Sequence, residues 1–183
     1  MSYYPILSAP YCTGKTTLYN FPPNSWESTD KCDQVVSLTC IKDGLWHSKT
    51  IGKLKYQDYK VVDYSDIVDL TPDGALALLS LSKEVLPETS TELPALNCNH
   101  TSTPAYRATL SLQSEFSETS YQGEIDPFPP QGSMLTFSPF MQFGNNVENY
   151  FLFMNLEKTA ENREVEVEIY DANSKELKKV QSA

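Results

Sequence analysis

The sequence predicts an all-β protein: an antiparallel β-sandwich built from two diverged copies of one β unit. Three observations predict it. Turn signals recur at short intervals, the runs between them alternate or are rich in β-branched and aromatic residues, and segments near the two ends of the chain match block by block in one order.

The runs read as strands are Thr16 to Phe21, Val35 to Ile41, Lys60 to Tyr64, Ala75 to Leu81, Tyr106 to Phe116, Met134 to Phe143, Tyr150 to Leu156 and Glu164 to Tyr170. Side chains alternate across a strand, so Val165, Val167 and Ile169 face one way and Glu164, Glu166 and Glu168 the other. Val36, Leu38 and Cys40 form the matching inward set, with Ser37 and Thr39 outward. Asp43-Gly44, Pro72-Asp73-Gly74 and Gly144-Asn145-Asn146 supply turns, since their residues tolerate a positive φ.

The repeat spans residues 6–51 and 135–180. Ile6-Leu7-Ser8-Ala9-Pro10-Tyr11 matches Leu135-Thr136-Phe137-Ser138-Pro139-Phe140, and Leu18-Tyr19-Asn20-Phe21 matches Phe153-Met154-Asn155-Leu156. Val35 to Ile41 then matches Glu164 to Tyr170, with Asp43-Gly44 opposite Ala172-Asn173. The first copy continues through two more strands to about Leu81, whereas the second runs out at Val180, and Tyr106 to Phe116 could close it. The expected organisation is a first unit over 1–83, a Pro/Ser/Thr-rich linker or long loop over 84–104, and a second unit over 105–183, the two units being able to form one compact domain. An Asn-ended strand, a polar loop, an alternating strand and an Asp-containing turn resemble immunoglobulin-like sandwich modules. An immunoglobulin-like or jelly-roll-like sandwich is therefore expected, and neither architecture implies a function.

The 183 residues carry 14 basic and 24 acidic side chains, a net charge of −10. Binding to nucleic acid or to an anionic membrane requires clustered Lys and Arg, so neither partner is expected. No window reaches the roughly 18 consecutive apolar residues of a spanning helix, and Met1 to Pro5 lacks a signal-peptide pattern. The expected location is cytoplasmic if the chain is complete and extracellular if it is a processed fragment. Cys12, Cys32, Cys40 and Cys98 form no CxxC pair and read as reduced thiols. Asn99-His100-Thr101 fits a glycosylation acceptor, which matters only in a secretory compartment.

Ala9 to Thr16, ending Gly14-Lys15-Thr16, resembles a loose phosphate-binding loop. Pro10 removes an amide donor, Tyr11 is bulky, and Thr17 to Pro23 is a poor helix, so a shared strand and turn is the better explanation. With only His47 and His100 present, a multi-histidine metal centre is not expected, and no cofactor is. No nucleophile elbow or cysteine-protease signature is present, although triads assemble in space and counting does not dismiss them.

The most unusual segment is Ser117 to Gly132, which mixes carboxylates, aromatics, two glycines and three prolines, the materials of a rigid contact loop. Its candidate partner- or ligand-binding residues are Glu118, Tyr121, Gln122, Glu124, Asp126 and Phe128. Glu115, Glu118, Glu124 and Asp126 also offer oxygens for calcium or a carboxylate pair for glycoside cleavage, against the plainer reading of a solvated connection. The resulting expectation is a non-enzymatic protein that binds a protein partner or self-associates as a homo-oligomer. The rival is a glycan-binding or glycan-cleaving sandwich that uses those carboxylates or Trp26, Trp46, Tyr121 and Phe128. Aromatics gathered on one exposed patch would favour sugar, and buried ones the scaffold.

Overall fold

A computed structural model describes residues 3–8, 11–20, 31–71, 77–97, 108–122, 158–161, 166–171 and 173–182. Their strands are β1 (Tyr3–Ile6), β2 (Thr13–Tyr19), β3 (Gln34–Lys42), β4 (Leu45–Leu54), β5 (Tyr59–Asp63), β6 (Ala77–Ser82), β7 (Thr89–Ser90), β8 (Ala108–Gln113), β9 (Glu118–Gln122), β10 (Glu166–Tyr170) and β11 (Leu177–Ser182). The only helical turns among them are two single 3-10 turns, Tyr64–Asp66 and Val68–Leu70. The protein is all-β with antiparallel sheets: a five-stranded sheet in the order β1-β6-β3-β4-β7, a four-stranded sheet in the order β5-β2-β8-β9, and the separate hairpin β10-β11.

The first core joins the two larger sheets. Tyr4, Ile6, Val36, Leu38, Leu79 and Leu81 of the five-stranded sheet cluster with Leu18, Val62 and Ala108 of the four-stranded one. Ile67, between the two 3-10 turns, is buried in the same cluster. The chain changes sheets from β1 to β2 at very close range. A Cβ on Gly14 would lie 1.5 Å from the Leu7 carbonyl oxygen, so only glycine fits there. Thr16 fastens the crossing by donating its hydroxyl to the Pro5 carbonyl at 2.9 Å.

A second core lies on the opposite face of the five-stranded sheet, where Tyr3, Trp46 and Leu78 pack with Leu86, Leu93, Leu96 and Ala160. The stretch 84–97, the described part of the run 84–104 read from the sequence as a linker or long loop, thus supplies three leucines to a core. Both faces of β6 are consequently covered and all six of its residues are buried, which accounts for its unbroken apolar start. Ser37 and Thr39 lie on the face away from the first core, as their alternation predicts, yet both are buried rather than wet. Their hydroxyl-bearing face meets protein, and Thr39 shares a hydrogen bond with Ser48 at 2.9 Å.

The two stretches matched as copies, Val35 to Ile41 and Glu164 to Tyr170, differ in setting. β3 opens a hairpin whose two-residue turn places Asp43 at φ 51 and Gly44 at φ 73, the conformation that Asp-Gly favours. β10 opens a hairpin as well, but with an irregularity between Ile169 and Tyr170. Its turn is built around Asp171, whose carboxylate accepts the Asn173 and Ser174 amides. β3 is largely buried, whereas Glu166, Glu168 and Tyr170 are exposed. The other second-copy blocks, Leu135 to Phe140 and Phe153 to Leu156, fall outside the described residues. The alternating run at 106–116, over its described part, pairs with β2 and β9.

Candidate functional site

β4 is the strand that leaves a site open. Its inner edge pairs along its full length with β3. Its outer edge meets β7 only at Trp46 opposite Ser90 and His47 opposite Thr89, with the Ser48 N–H reaching the Glu88 carbonyl at 3.0 Å. Past Ser48 no strand among the described residues covers it. In an antiparallel ladder alternate residues turn their N–H and C=O to the same side. Thr50, two after Ser48, therefore presents its backbone outward, with no strand partner among the described residues.

A cleft of about 560 Å³ follows this edge. Its walls include Leu38, His47 and Lys49 from one face and Ser48, Thr50 and Leu86 from the other, so it wraps the edge where a further strand would lie. Lys49, Thr50 and Leu70 also border an adjoining hollow of about 320 Å³, floored by Ile51, Val62 and Ile67. That hollow sits between β4 of one sheet and β5 of the other.

The spacing of β4 and β5 is fixed by a buried amide pair. Asn20 donates from Nδ2 to the Cys32 and Leu54 carbonyls at 3.0 and 3.1 Å, and accepts Gln34 Nε2 on Oδ1 at 2.6 Å. Its backbone holds the connection between the strands, with its N–H on the Asp58 carbonyl and its C=O on the Gln57 N–H. Gln57 takes a φ of 61 there. Asp63 then starts the 3-10 turn that carries Ile67 inward, accepting the Ser65 N–H and hydroxyl on Oδ1 at 3.0 and 2.7 Å. These bonds hold the Asp63 carboxyl below its ordinary value, with a smaller contribution from Lys15.

The rim is basic in an acidic chain. Lys42 and Lys49 border the cleft and Lys60 the hollow, with Glu88 and Asp66 as their acidic lining residues. Over residues 42–60, five lysines face only Asp43 and Asp58, a net of +3, while the whole chain carries −10. Lys15, Lys158 and Lys178 are held in ion pairs. The five lysines of this strip are not among them.

Thiol chemistry is disfavoured here. Cys40 stands opposite His47 in the ladder, but burial pushes its thiol pKa up, with Lys42 opposing only in part. A thiol raised in this way stays protonated near neutral pH and is a poor nucleophile. His47 Nε2 and the Ser37 hydroxyl, both in residues that line the cleft, are buried without hydrogen-bond partners.

The residues picked from the sequence lie elsewhere. Glu118 is exposed on β9 opposite Gln113, and Tyr121 and Gln122 continue that strand opposite Leu110 and Thr109. Glu124, Asp126 and Phe128 fall outside the described residues, as does Trp26. Trp46 is fully buried, donates its indole N–H to the Lys158 carbonyl at 3.0 Å, and offers no stacking surface to a sugar. Gly14, Lys15 and Thr16 of the apparent phosphate loop lie within β2. Lys15 donates to Gln113 Oε1 at 2.7 Å and lies 4.0 Å from Asp63. Comparison with protein-family models, curated proteins and solved structures returns no match. No helix among the described residues is long and apolar enough to cross a membrane.

Proposed function

We propose that this chain is a non-enzymatic binding module, an immunoglobulin-like or jelly-roll-like sandwich of two diverged units. In this reading it engages a protein partner or another copy of itself by accepting an extended segment along β4. The observation that carries the reading is that no strand among the described residues covers the outer edge of β4 past Ser48, with a cleft along it. Strand addition draws its affinity from main-chain hydrogen bonds and its selectivity from the side chains that flank them.

Lysines on an edge strand commonly discourage pairing between copies of the same edge. The same lysines attract a strand of opposite charge, so the edge is selective rather than closed. Glu118 to Phe128 remains, on its sequence, a second proposed contact surface.

A short labelled peptide of alternating Glu and Val tests the reading by fluorescence anisotropy. Binding is expected to weaken with salt and to be lost in Thr50→Pro, which removes the outward N–H without touching the β3 ladder. Absence of binding, or equal binding by a Lys and Val peptide, would contradict the reading.

A further inference from the structure

Among the described residues the hairpin β10-β11 forms a two-stranded sheet of its own, and an isolated hairpin is marginally stable in water without more strands or a packing face. Tyr170, Leu177 and Val180 on it are half exposed. β10 also carries exposed Glu166 and Glu168, one charge on every second residue, and its outer edge has no strand partner among the described residues. β4 has complementary features: an outer edge with no strand partner past Ser48 among the described residues, a hollow beside it floored by Ile51, Val62 and Ile67, and Lys49 and Lys60 at the rim.

We propose that β10 of one copy pairs with the open edge of β4 of another copy, so that the acidic hairpin completes the five-stranded sheet in trans. The inference rests on the strand-addition reading above and names its partner. Pairing supplies the outward backbone groups of β4 and β10 to one another. Glu166 and Glu168 come to the lysine rim, and the half-exposed residues of the hairpin gain a neighbour. β4 and β10 are different surfaces, so the contact is heterologous in kind. Two copies exchanging hairpins close a dimer, whereas a one-way donation continues head to tail.

Sedimentation of the full chain across a wide concentration range, at low and high salt, tests this. The expected result is an average mass that rises with concentration and falls with salt. Lys49→Glu with Lys60→Glu is expected to weaken association about tenfold, as is Glu166→Lys with Glu168→Lys, since each removes two attractions and adds two repulsions. An equal mixture of the two charge-reversed chains is expected to associate again. Each variant is first matched to wild type in thermal unfolding. A variant that does not match is replaced by Thr50→Pro on the β4 side or Glu168→Gln on the β10 side, each expected to weaken association. A chain that stays single at every concentration would overturn the inference, and so would a mixture that fails to recover. Slow exchange of the Thr50 amide in a single chain would show that this edge is already covered within one chain and overturn the pairing in trans. If the Glu-Val peptide still binds in any of these cases, only the partner has been misidentified. If the peptide does not bind, the strand-addition reading itself fails.

Discussion

Gln34 and Asn20, fourteen residues apart and both buried, are joined by a hydrogen bond of 2.6 Å from Gln34 Nε2 to Asn20 Oδ1. Gln34 opens β3 in one sheet, and Asn20 follows β2 in the other. Asn20 also holds the Leu54 carbonyl at the end of β4, so one side chain sets how the sandwich edges approach each other around the β4–β5 connection.

Asn20→Ala is expected to cost about 2–4 kcal/mol, because it takes away the bonds that Asn20 makes to the buried Leu54 carbonyl and the buried Gln34 amide. Gln34 Oε1 already lacks a donor, and the substitution also removes Asn20 Nδ2, the donor to two carbonyls. Urea unfolding measures it. A change under about 1 kcal/mol would mean that water replaces the lost bonds and that the pair does not brace the edge.

Asp63 ties stability to acid. Its carboxyl is held below the ordinary 3.8 by the Ser65 hydroxyl and amide first, and by Lys15 to a smaller extent. A group whose folded pKa is depressed adds stability that is fully present above the unfolded value and is lost as pH falls through the folded one. Asp63→Asn keeps an acceptor oxygen but does not titrate there. Its urea midpoint is expected to fall less steeply than that of wild type as pH drops below 3.8. Parallel curves would show that Asp63 is not a source of the acid loss.

The Gly14-Lys15-Thr16 run is expected to bind neither ATP nor GTP. Gly14 is closed against Leu7, Lys15 is engaged with Gln113, and the Thr16 hydroxyl is spent on Pro5. No helix N-terminus follows to receive a phosphate, because these residues are a strand. Calorimetric titration checks this, and micromolar binding abolished by Lys15→Ala would contradict it.

Much of the strand pattern was legible because alternation is local. Val36, Leu38 and Cys40 face the sheet interior, the Asp43-Gly44 turn closes its hairpin, β8 falls within a run read as a strand, and β5 and β6 each overrun theirs by one residue. The second core was not legible. Leu86, Leu93 and Leu96 are separated by Pro, Glu and Thr with no period, and each reaches the core from an irregular path over the sheet. Nothing local to Ser37 or Thr39 says that such a path will cover them. The open edge was hidden for a related reason, since whether β4 has an outer neighbour depends on where residues 88–90 travel. Its one sequence trace is the lysine series Lys49, Lys53 and Lys55, the residue type that edge strands favour. The unusual composition of Ser117 to Gly132 drew attention elsewhere, and the described start of that loop is strand β9.

Amide hydrogen exchange with and without the Glu-Val peptide bears most directly on the claim that β4 is the binding edge. Lys49 lies opposite Leu38 in the ladder and Thr50 is the next outward-facing position. The account predicts that the peptide slows exchange at Thr50 while leaving Lys49, already bonded within the sheet, nearly unchanged. Slowed exchange across Glu118 to Gln122 with Thr50 unaffected would contradict it and move the binding surface to β9.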